Sequence, residues 1–520
     1  MKTKFNYIIG IACMVVSMMT SCYSDDSTAW TQEVAGITIE GMESAYTSTA
    51  YVGEHLVVNP TITTGFSDAD MEYRWLLINE KTGTTDENGN TIEPDTIGKE
   101  KSLDYEVNLA PGQYQLRLYA RNLKNDYLAT AYASLSVQTD FSQGFYILKE
   151  TAEGNTELDM VNSKNVLSEN LLQKVKGITM QGKPLNLSPA YDVAYVDEET
   201  DEMKENHALV ISSHSRDFCI LRVTDLATIK DKSNLYFDEA PAGEVPFSYI
   251  PGIFGITLVT SGGFYETGGG GTGQFGLPVV EGKISPYHYY DYSSYGGGAH
   301  WDEGTHSLMS RNYNNRVSGV TDWSGNGELT QNLTNFDCIF CGYSDVASVE
   351  GQFILRDNTN GDRYLYQLSG GFSGQYLKSR TKLAAGSHMA NADYYACNSI
   401  SASYIYCVDG GKLYACVVNS DNLDEVEIKP EGIPASEQIN FVANQFCRYM
   451  GGDSFNYLIV GTQSGNNYKL YFYEMNGGAP AGQPINTVQG TGKVKKLRYI
   501  NQSYSSSYVT YYYCFNAYCD

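Results

Sequence analysis

The chain has 520 residues, which is too long for one ordinary domain and predicts two. Aromatic residues make up 13% of it, and this content excludes a disordered protein. The formal net charge is −25 at pH 7, and so acidic a surface repels nucleic acid and anionic membranes, so neither is expected as a partner. The 51 Gly, the 43 Tyr and the many runs of Thr and Val favour an all-β fold.

The first predicted element is an export signal of the lipoprotein type. Two lysines open the chain, and residues 8–19 form an apolar run too short to cross a bilayer core of about 30 Å. Small residues then precede Cys22, which would carry the lipid. The sequence therefore predicts a signal peptide over residues 1–21, lipidation of Cys22 and attachment to a membrane through that lipid alone. The alternative is an ordinary signal peptide or a membrane anchor with a chance cysteine.

Residues 22–31 are expected to form a short polar tether. Ser24, Asp25 and Asp26 lie just after the predicted lipidation site. In Bacteroidetes lipoproteins, a Ser-Asp-Asp stretch at this place resembles the signal for display on the cell surface. The resemblance implies a protein anchored in the outer membrane and facing the cell exterior. A solvated tether without targeting information is the alternative.

Residues 32–140 are predicted to form a small β-sandwich of the immunoglobulin type. Trp75 lies in a nearly alternating run, and residues 111–112, Pro-Gly, turn the chain into a strand whose Tyr114, Leu116 and Leu118 share one face. A Trp on a central strand and a Pro-Gly-x-Tyr entry to a late strand are typical of immunoglobulin-like sandwiches. Together these residues resemble a PKD domain.

Residues 141–520 are predicted to form a β-propeller, because an apolar strand, a tight polar turn and a second strand recur along them. Four such hairpins cover residues 208–223, 352–368, 404–417 and 457–473. The centres of the last three second strands lie 48 and 57 residues apart, and the gap before them is 145 residues, or about three periods. A period of roughly 40–50 residues allows seven or eight blades.

Two smaller elements are predicted within this region. Residues 166–176 are expected to form a helix that Gly177 ends. The Tyr-rich tail over residues 504–513 is expected to complete the last blade and close the ring.

Several patterns resemble known sites but lack residues or neighbouring structure that those sites require. The GxGxxG at residues 271–276 is followed by a proline that disfavours the helix a dinucleotide site needs. The acidic stretch at residues 357–362 lacks the glutamate that closes a calcium loop, so a hairpin turn is expected. The lone CxxC at residues 338–341 is expected to place its two cysteines on opposite faces of a strand.

A further group could surround a metal but is better explained as a turn between blade strands: His300, Asp302, Glu303 and His306. We therefore expect no metal, no cofactor and no catalytic residue.

One aromatic segment is the best candidate for ligand binding. Tyr side chains bury large areas at low entropic cost and keep a hydroxyl group for hydrogen bonds, so loops rich in Tyr, Ser and Gly recur in binding surfaces. The candidate residues are Tyr287, Tyr289, Tyr290, Tyr292, Tyr295 and Trp301. The alternative is that these Tyr pack along the outer strand of a blade.

The lipoprotein signal, the sandwich, the opening of the propeller region at residues 144–150 and the segment at residues 492–499 resemble the PKD-like family lipoproteins of Bacteroidetes. The resemblance covers nearly the whole chain and carries no catalytic residue. It implies an accessory component beside an outer-membrane importer of the SusC/SusD type. The implied partners are that transporter complex and other surface lipoproteins.

We therefore expect a non-enzymatic surface lipoprotein that captures substrate for a TonB-dependent nutrient importer. Oligopeptides are the first expected ligand, and oligosaccharides are the second. A glycan-binding lipoprotein, a propeller hydrolase or lyase, and a purely structural adhesin are the alternatives, since propellers host many functions.

Overall fold

The computed structural model describes residues 36–501, with these exceptions: 50–54, 80–81, 86–88, 110, 198–199, 253–254, 268–271, 292–296, 345–349, 372–373, 420–421 and 448–453. The described chain is nearly all-β and divides into two compact units. The N-terminal unit contains most of residues 36–136, and the C-terminal unit contains most of residues 137–501. The predicted signal peptide, the tether and the tail over residues 504–513 lie outside the described residues.

The N-terminal unit consists of one five-stranded sheet, in the order β2-β9-β8-β5-β6, and two short ladders, β1-β4 and β3-β7. Its strands are β1 (Ile37–Glu40), β2 (Ala45–Thr49), β3 (His55–Val58), β4 (Thr61–Thr64), β5 (Met71–Ile78), β6 (Asp95–Gly98), β7 (Leu103–Glu106), β8 (Gly112–Asn122) and β9 (Leu128–Gln138).

The core of this unit consists of alternating apolar residues on neighbouring strands, as the sequence predicts. Leu116 and Leu118 on β8 are fully buried, and Leu118 lies opposite Trp75 on the neighbouring β5. The Trp75 indole is also buried, and its Nε1 donates a hydrogen bond of 3.0 Å to the carbonyl oxygen of Glu100. A buried indole with its one donor satisfied can occupy a core without an unpaired polar group.

The described residues of the C-terminal unit form seven antiparallel sheets, which are the blades of a β-propeller. Blade 1 contains β39 (Lys493–Asn501), β10 (Gln143–Glu150), β11 (Thr156–Asn162) and β12 (Leu167–Ser168). Blade 2 contains β13 (Pro184–Val196), β14 (Met203–Ser213), β15 (Phe218–Arg222) and β16 (Thr228–Lys230). Blade 3 contains β17 (Pro246–Gly252), β18 (Gly255–Thr260), β19 (Gly263–Glu266) and β20 (Val280–Glu281).

Blades 4 to 7 complete the set. They contain β21 (Ile284–Asp291), β22 (Gly297–Asp302), β23 (Ser307–Arg311) and β24 (Val317–Gly319); β26 (Phe336–Ser344), β27 (Glu350–Asp357), β28 (Arg363–Gly371), β29 (Gly374–Lys382) and the added β25 (Thr321–Asp322); β30 (Tyr394–Cys397), β31 (Tyr404–Asp409), β32 (Lys412–Val417) and β33 (Glu425–Ile428); β34 (Ile439–Cys447), β35 (Phe455–Ser464), β36 (Asn467–Asn476), β38 (Asn486–Thr491) and the short β37 (Ala479–Pro480).

The inner strands form the ring of the propeller. They are β39, β13, β17, β21, β26, β30 and β34. Six of the seven neighbouring pairs pack together: five along the ring from β26 through β39 to β17, and the pair β21 and β26. Between β17 and β21, the Oγ of Ser248 lies 2.7 Å from the Nε2 of His288. Because β39 comes from the C-terminal end of the described chain yet pairs with β10, the last strand closes the first blade.

The four hairpins predicted from the sequence are confirmed, and each is the second and third strand of a blade. They form β14-β15, β27-β28, β31-β32 and β35-β36. The gap of 145 residues spans the step from blade 2 to blade 5, which is three blades as predicted. The hairpin at residues 357–362 is also confirmed, because Asp357 Oδ1 accepts a hydrogen bond from the backbone of Thr359.

The predicted helix at residues 166–176 is shorter than expected. Leu167 pairs with Val161 in the ladder of β11 and β12, and Asn170 takes a left-handed conformation with φ 60°. The helix α1 (Leu171–Lys176) therefore begins after Asn170, and Gly177 ends it with φ 67°, as predicted. A second short helix, α2 (His388–Asn391), precedes blade 6.

The expected orientation of the CxxC is wrong. A β-bulge between Cys338 and Phe340 shifts the alternation of β26, so Cys338 and Cys341 pack in one apolar cluster while Phe340 packs in another. Both thiols are buried and act as small apolar side chains.

A buried charge cluster ties blade 1 to blade 7. The Nζ of Lys149 lies 2.7 Å from the Oδ1 of Asp159, and both side chains are almost wholly buried. The hydroxyl group of Tyr468, on β36 in blade 7, donates a hydrogen bond of 2.7 Å to the other carboxylate oxygen of Asp159. Burial raises the pKa of Asp159, and the nearby Lys149 limits the rise because its positive charge favours the ionised carboxyl.

We predict that Lys149→Met destabilises the protein by about 3–5 kcal/mol, because it leaves a buried carboxylate without its cation. The control is Lys412→Met, whose ammonium group lies 3.7 Å from Glu427 at the surface and is expected to cost less than about 1 kcal/mol. Urea denaturation of the two variants measures the difference. Equal free energies of unfolding would contradict the prediction.

Candidate ligand-binding cavity at the propeller centre

A cavity of about 420 Å³ lies where the seven inner strands begin. Small-molecule sites in proteins commonly measure roughly 300–1,000 Å³, so the cavity has the size of a ligand pocket. Every blade supplies at least one lining residue. Turns between second and third strands, in blades 2, 3 and 4, complete the wall.

Aromatic rings form much of the cavity wall, and they are Phe247, Tyr287, Phe340, Tyr394, Tyr395 and Phe441. The rings of Phe340 and Tyr395 lie 5.4 Å apart. The Tyr395 hydroxyl donates a hydrogen bond of 2.7 Å to the carbonyl oxygen of Met389 and accepts one of 2.5 Å from Arg363 Nη1. Because both hydrogen bonds of this hydroxyl are made within the protein, the ring offers a ligand mainly its apolar face.

Basic side chains occupy the wall contributed by blades 1 and 2. Lys495 and Lys496 come from β39, while His214 and Arg216 come from the turn between β14 and β15. Loss of solvent lowers the pKa of His214, and the positive charges of Lys495, Arg216 and Lys183 lower it further. These cations therefore lie near the His214 imidazole.

Two of these basic groups are positioned by hydrogen bonds to the blades. The Arg216 Nη1 donates a hydrogen bond of 3.1 Å to the carbonyl oxygen of Gly243, and Arg216 itself has φ 63°, in the left-handed region. The Nζ of Lys496 donates one of 2.8 Å to Asn186 Oδ1 in the neighbouring blade. The guanidinium and the ammonium group are therefore held at the wall.

Two acidic side chains also line the cavity. Glu303 lies in the turn between β22 and β23 in blade 4, and Asp393 directly precedes β30 in blade 6. Loss of solvent raises the pKa of Glu303; Arg216 opposes the rise, and Asp337 and Asp302 add to it. The cavity therefore presents cations and carboxylates from different blades together with aromatic rings, and Arg216 lies near enough to Glu303 to favour its ionised form.

The described members of the predicted aromatic segment lie on the two inner strands of blade 4. Of its described members, Tyr287 lines the cavity, while Tyr289, Tyr290 and Trp301 are buried in the core. The Tyr289 hydroxyl donates a hydrogen bond of 2.7 Å to Gln375 Oε1 in blade 5. Tyr292 and Tyr295 lie outside the described residues. The alternative of packing along an outer strand is wrong, because β21 is the innermost strand of its blade.

Sequence reasoning missed most of the cavity wall. Lys495, Arg216, Asp393 and Phe340 are far apart in the chain and belong to no motif. Their shared signal is their place at the start of an inner strand or in a turn beside it. That signal exists only once the order of strands in each blade is known.

The group from His300 to His306 forms a turn, as expected. Asp302 Oδ1 accepts a hydrogen bond of 2.6 Å from the backbone of Thr305, and the buried position of His300 lowers its pKa to about 3. Within the ranges that the structure describes, no three His, Cys, Asp or Glu side chains are grouped so that they could hold a metal ion.

No helix among the described residues is both long enough and apolar enough to cross a membrane.

Comparison with known proteins finds one family model that matches part of the chain and several distant solved structures. A family model for the PKD-like family matches residues 22–184, which include the N-terminal unit and extend to the start of β13. No curated protein matches the chain.

The similar solved structures share little sequence with the chain. A quinonprotein alcohol dehydrogenase-like protein from Bacteroides thetaiotaomicron is 12% identical, with 90% of this chain and 99% of that chain covered and a TM-score of 0.35. AztD from Citrobacter koseri is 11% identical, with 82% and 100% covered and a TM-score of 0.30. These similarities carry no argument about activity.

We predict that His214 titrates below its ordinary pKa of about 6.5 and that Lys495→Gln raises this pKa, because the substitution removes a nearby positive charge. Histidine titration by NMR measures the effect, with His214→Asn used to assign the signal. Lys412→Gln, on the outer part of blade 6, serves as the control and leaves the pKa unchanged. An unshifted His214 in the wild-type protein would show that the cations do not converge on the cavity.

Proposed function

We propose that this protein is a surface-exposed outer-membrane lipoprotein that captures oligopeptides for a SusC/SusD-type importer and does not itself catalyse a reaction. The observation that carries the proposal is the central cavity, which is lined by aromatic rings from five blades and by both basic and acidic groups. Pockets that combine apolar walls with a few convergent polar groups are typical ligand sites.

The chemistry of the wall favours a peptide over a neutral glycan. A peptide offers apolar side chains, amide groups and charged ends, and each of these has a counterpart among the lining residues. A neutral glycan could hydrogen-bond to Arg216, Lys495 and Glu303, but it would bring no charge of its own, so it would form no ion pair with them. The glycan-binding reading therefore remains the second candidate.

The proposed anchor explains how capture would serve an importer. A lipid on Cys22 would confine the protein to the membrane plane, which raises its effective concentration beside other proteins of that membrane. The match of residues 22–184 to the PKD-like family supports this assignment because the matched segment begins at the same cysteine.

Affinity purification of the tagged protein from native outer membranes tests the function. We expect mass spectrometry to identify importer subunits and bound short peptides in the eluate. Tyr394→Ala should lower the amount of bound peptide about tenfold or more, because it removes a ring from the wall, while the importer subunits still elute.

Trp323→Ala is the matched control, since this ring is 83% exposed and does not line the cavity. A protein that elutes alone and without peptide would contradict the proposal. Cleavage of added peptides by the purified protein would favour the hydrolase alternative.

We also predict that Cys22→Ser abolishes the incorporation of labelled fatty acid and releases the protein from the membrane fraction, because a hydroxyl group cannot replace the acylated thiol. Cys13→Ser, within the apolar run of the signal, should leave both properties unchanged. Fatty-acid labelling followed by fractionation gives the result. If the two variants incorporated equal amounts of label, the lipid would be attached to another residue or would be absent.

A further inference from the structure

Most of the inner strands share an irregularity close to the cavity. Among the described residues, six of the seven shift their register against the second strand of the blade near the start of the inner strand, and β30 pairs without a shift. Such a shift marks an extra residue on the inner strand, as in a β-bulge. Bulges are frequent beside functional sites, because they turn the side chain of the extra residue in a new direction.

The extra residues form part of the cavity wall. Leu185 on β13, Phe247 on β17, Ile339 on β26 and Lys495 on β39 each lie between two successive pairs of their ladder. All four line the cavity. In β21 the irregularity covers residues 285–287, and the last two of these also line the cavity. Five of the six irregular strands thus bring a residue of the irregular segment to the wall.

These residues follow one another around the ring. Their inner strands belong to blades 1 to 5, which are successive neighbours. The extra residue of blade 1 is Lys495, and those of blades 2, 3 and 5 are Leu185, Phe247 and Ile339, with Tyr287 in blade 4. We call these five residues the bulge arc. The arc has a cation at one end and apolar or aromatic side chains along the rest.

Lys495 is the cation of the wall that is most available to a ligand. Its side chain is exposed. Loss of solvent lowers the pKa of His214, and the charge of Lys495 lowers it further, so the two groups lie close together. Among the described residues, no carboxylate lies within 4 Å of the ammonium group of Lys495. The charge of Arg216, by contrast, already favours the ionised form of Glu303.

We infer that the cavity selects peptides by their C-terminal end, with the free carboxylate at Lys495 and apolar side chains along the rest of the bulge arc. This inference rests on the proposed capture of oligopeptides and adds which end of the peptide is recognised and by which residues. It implies that peptides with apolar C-terminal residues bind more tightly than amidated peptides or internal segments of a chain.

Calorimetric titration of the purified full chain tests the inference. The probes are N-acetyl-Phe-Ala-Phe, its C-terminal amide and N-acetyl-triglycine, so no probe carries an ammonium group. The amide should bind about fivefold more weakly than the acid, because one solvent-exposed ion pair is lost. Triglycine should bind about tenfold more weakly or less tightly still, because it buries no phenyl group. High salt should narrow the difference between the acid and the amide.

Variants along the bulge arc separate its charged end from its apolar part. With Lys495→Gln, the affinity for the acid should fall to that for the amide, and the affinity for the amide should stay as in the wild type. Ile339→Ala should weaken the binding of both Phe peptides by the same factor of about three, because it removes apolar surface. Lys495 is exposed and Ile339 is half-buried, so both variants are expected to fold. Lys412→Gln is the matched control and should keep the difference between acid and amide.

The outcomes distinguish this inference from the proposed function. Equal affinity of the wild type for the acid and the amide would overturn the inference and leave peptide capture intact. A difference between acid and amide that persists in Lys495→Gln would overturn it as well, because the carboxylate would then bind elsewhere. Affinity for an acidic disaccharide of similar size, without affinity for any of the three peptides, would overturn both the inference and the proposed function.

Discussion

The pairing of β39 with β10 is the constraint on which the C-terminal unit depends. The last described strand completes the first sheet, since residues 493–501 become the innermost strand of blade 1. The pairing removes two sheet edges that would otherwise be open to aggregation. The buried contact of Lys149 with Asp159, and of Asp159 with Tyr468, strengthens the same junction between blades 1 and 7.

Closure also creates the candidate site. Because β39 lies at the ring centre, it carries Lys495 and Lys496 into the cavity, beside the turn that holds Arg216. The strand that closes the fold thus supplies Lys495 and Lys496, two of the four basic residues that line the cavity. Stability and ligand recognition are therefore linked at one strand, which explains how a chain of strongly negative charge can present a basic surface at its centre.

The sequence predicted the repeated parts of the fold well, because period-2 alternation and turn residues are local properties. The four hairpins, the propeller and the burial of Leu116, Leu118 and Trp75 all follow from such patterns. It failed where a local irregularity overrides the period. The bulge beside Cys338 placed the cysteines of the CxxC together, and the left-handed Asn170 shortened the helix.

By itself, the sequence determined the all-β class, the repeat length and the acidic surface, together with the predicted anchor at Cys22. Only the tertiary structure decided that there are seven blades, which strand closes them, and which side chains meet at the centre. The physical reason is that blade strands are recognisable from nearby residues, whereas the cavity joins single residues from positions 185 to 496. Tyr289 and Trp301 illustrate the limit: their composition suggested a binding surface, but their place on inner strands buries them in the core.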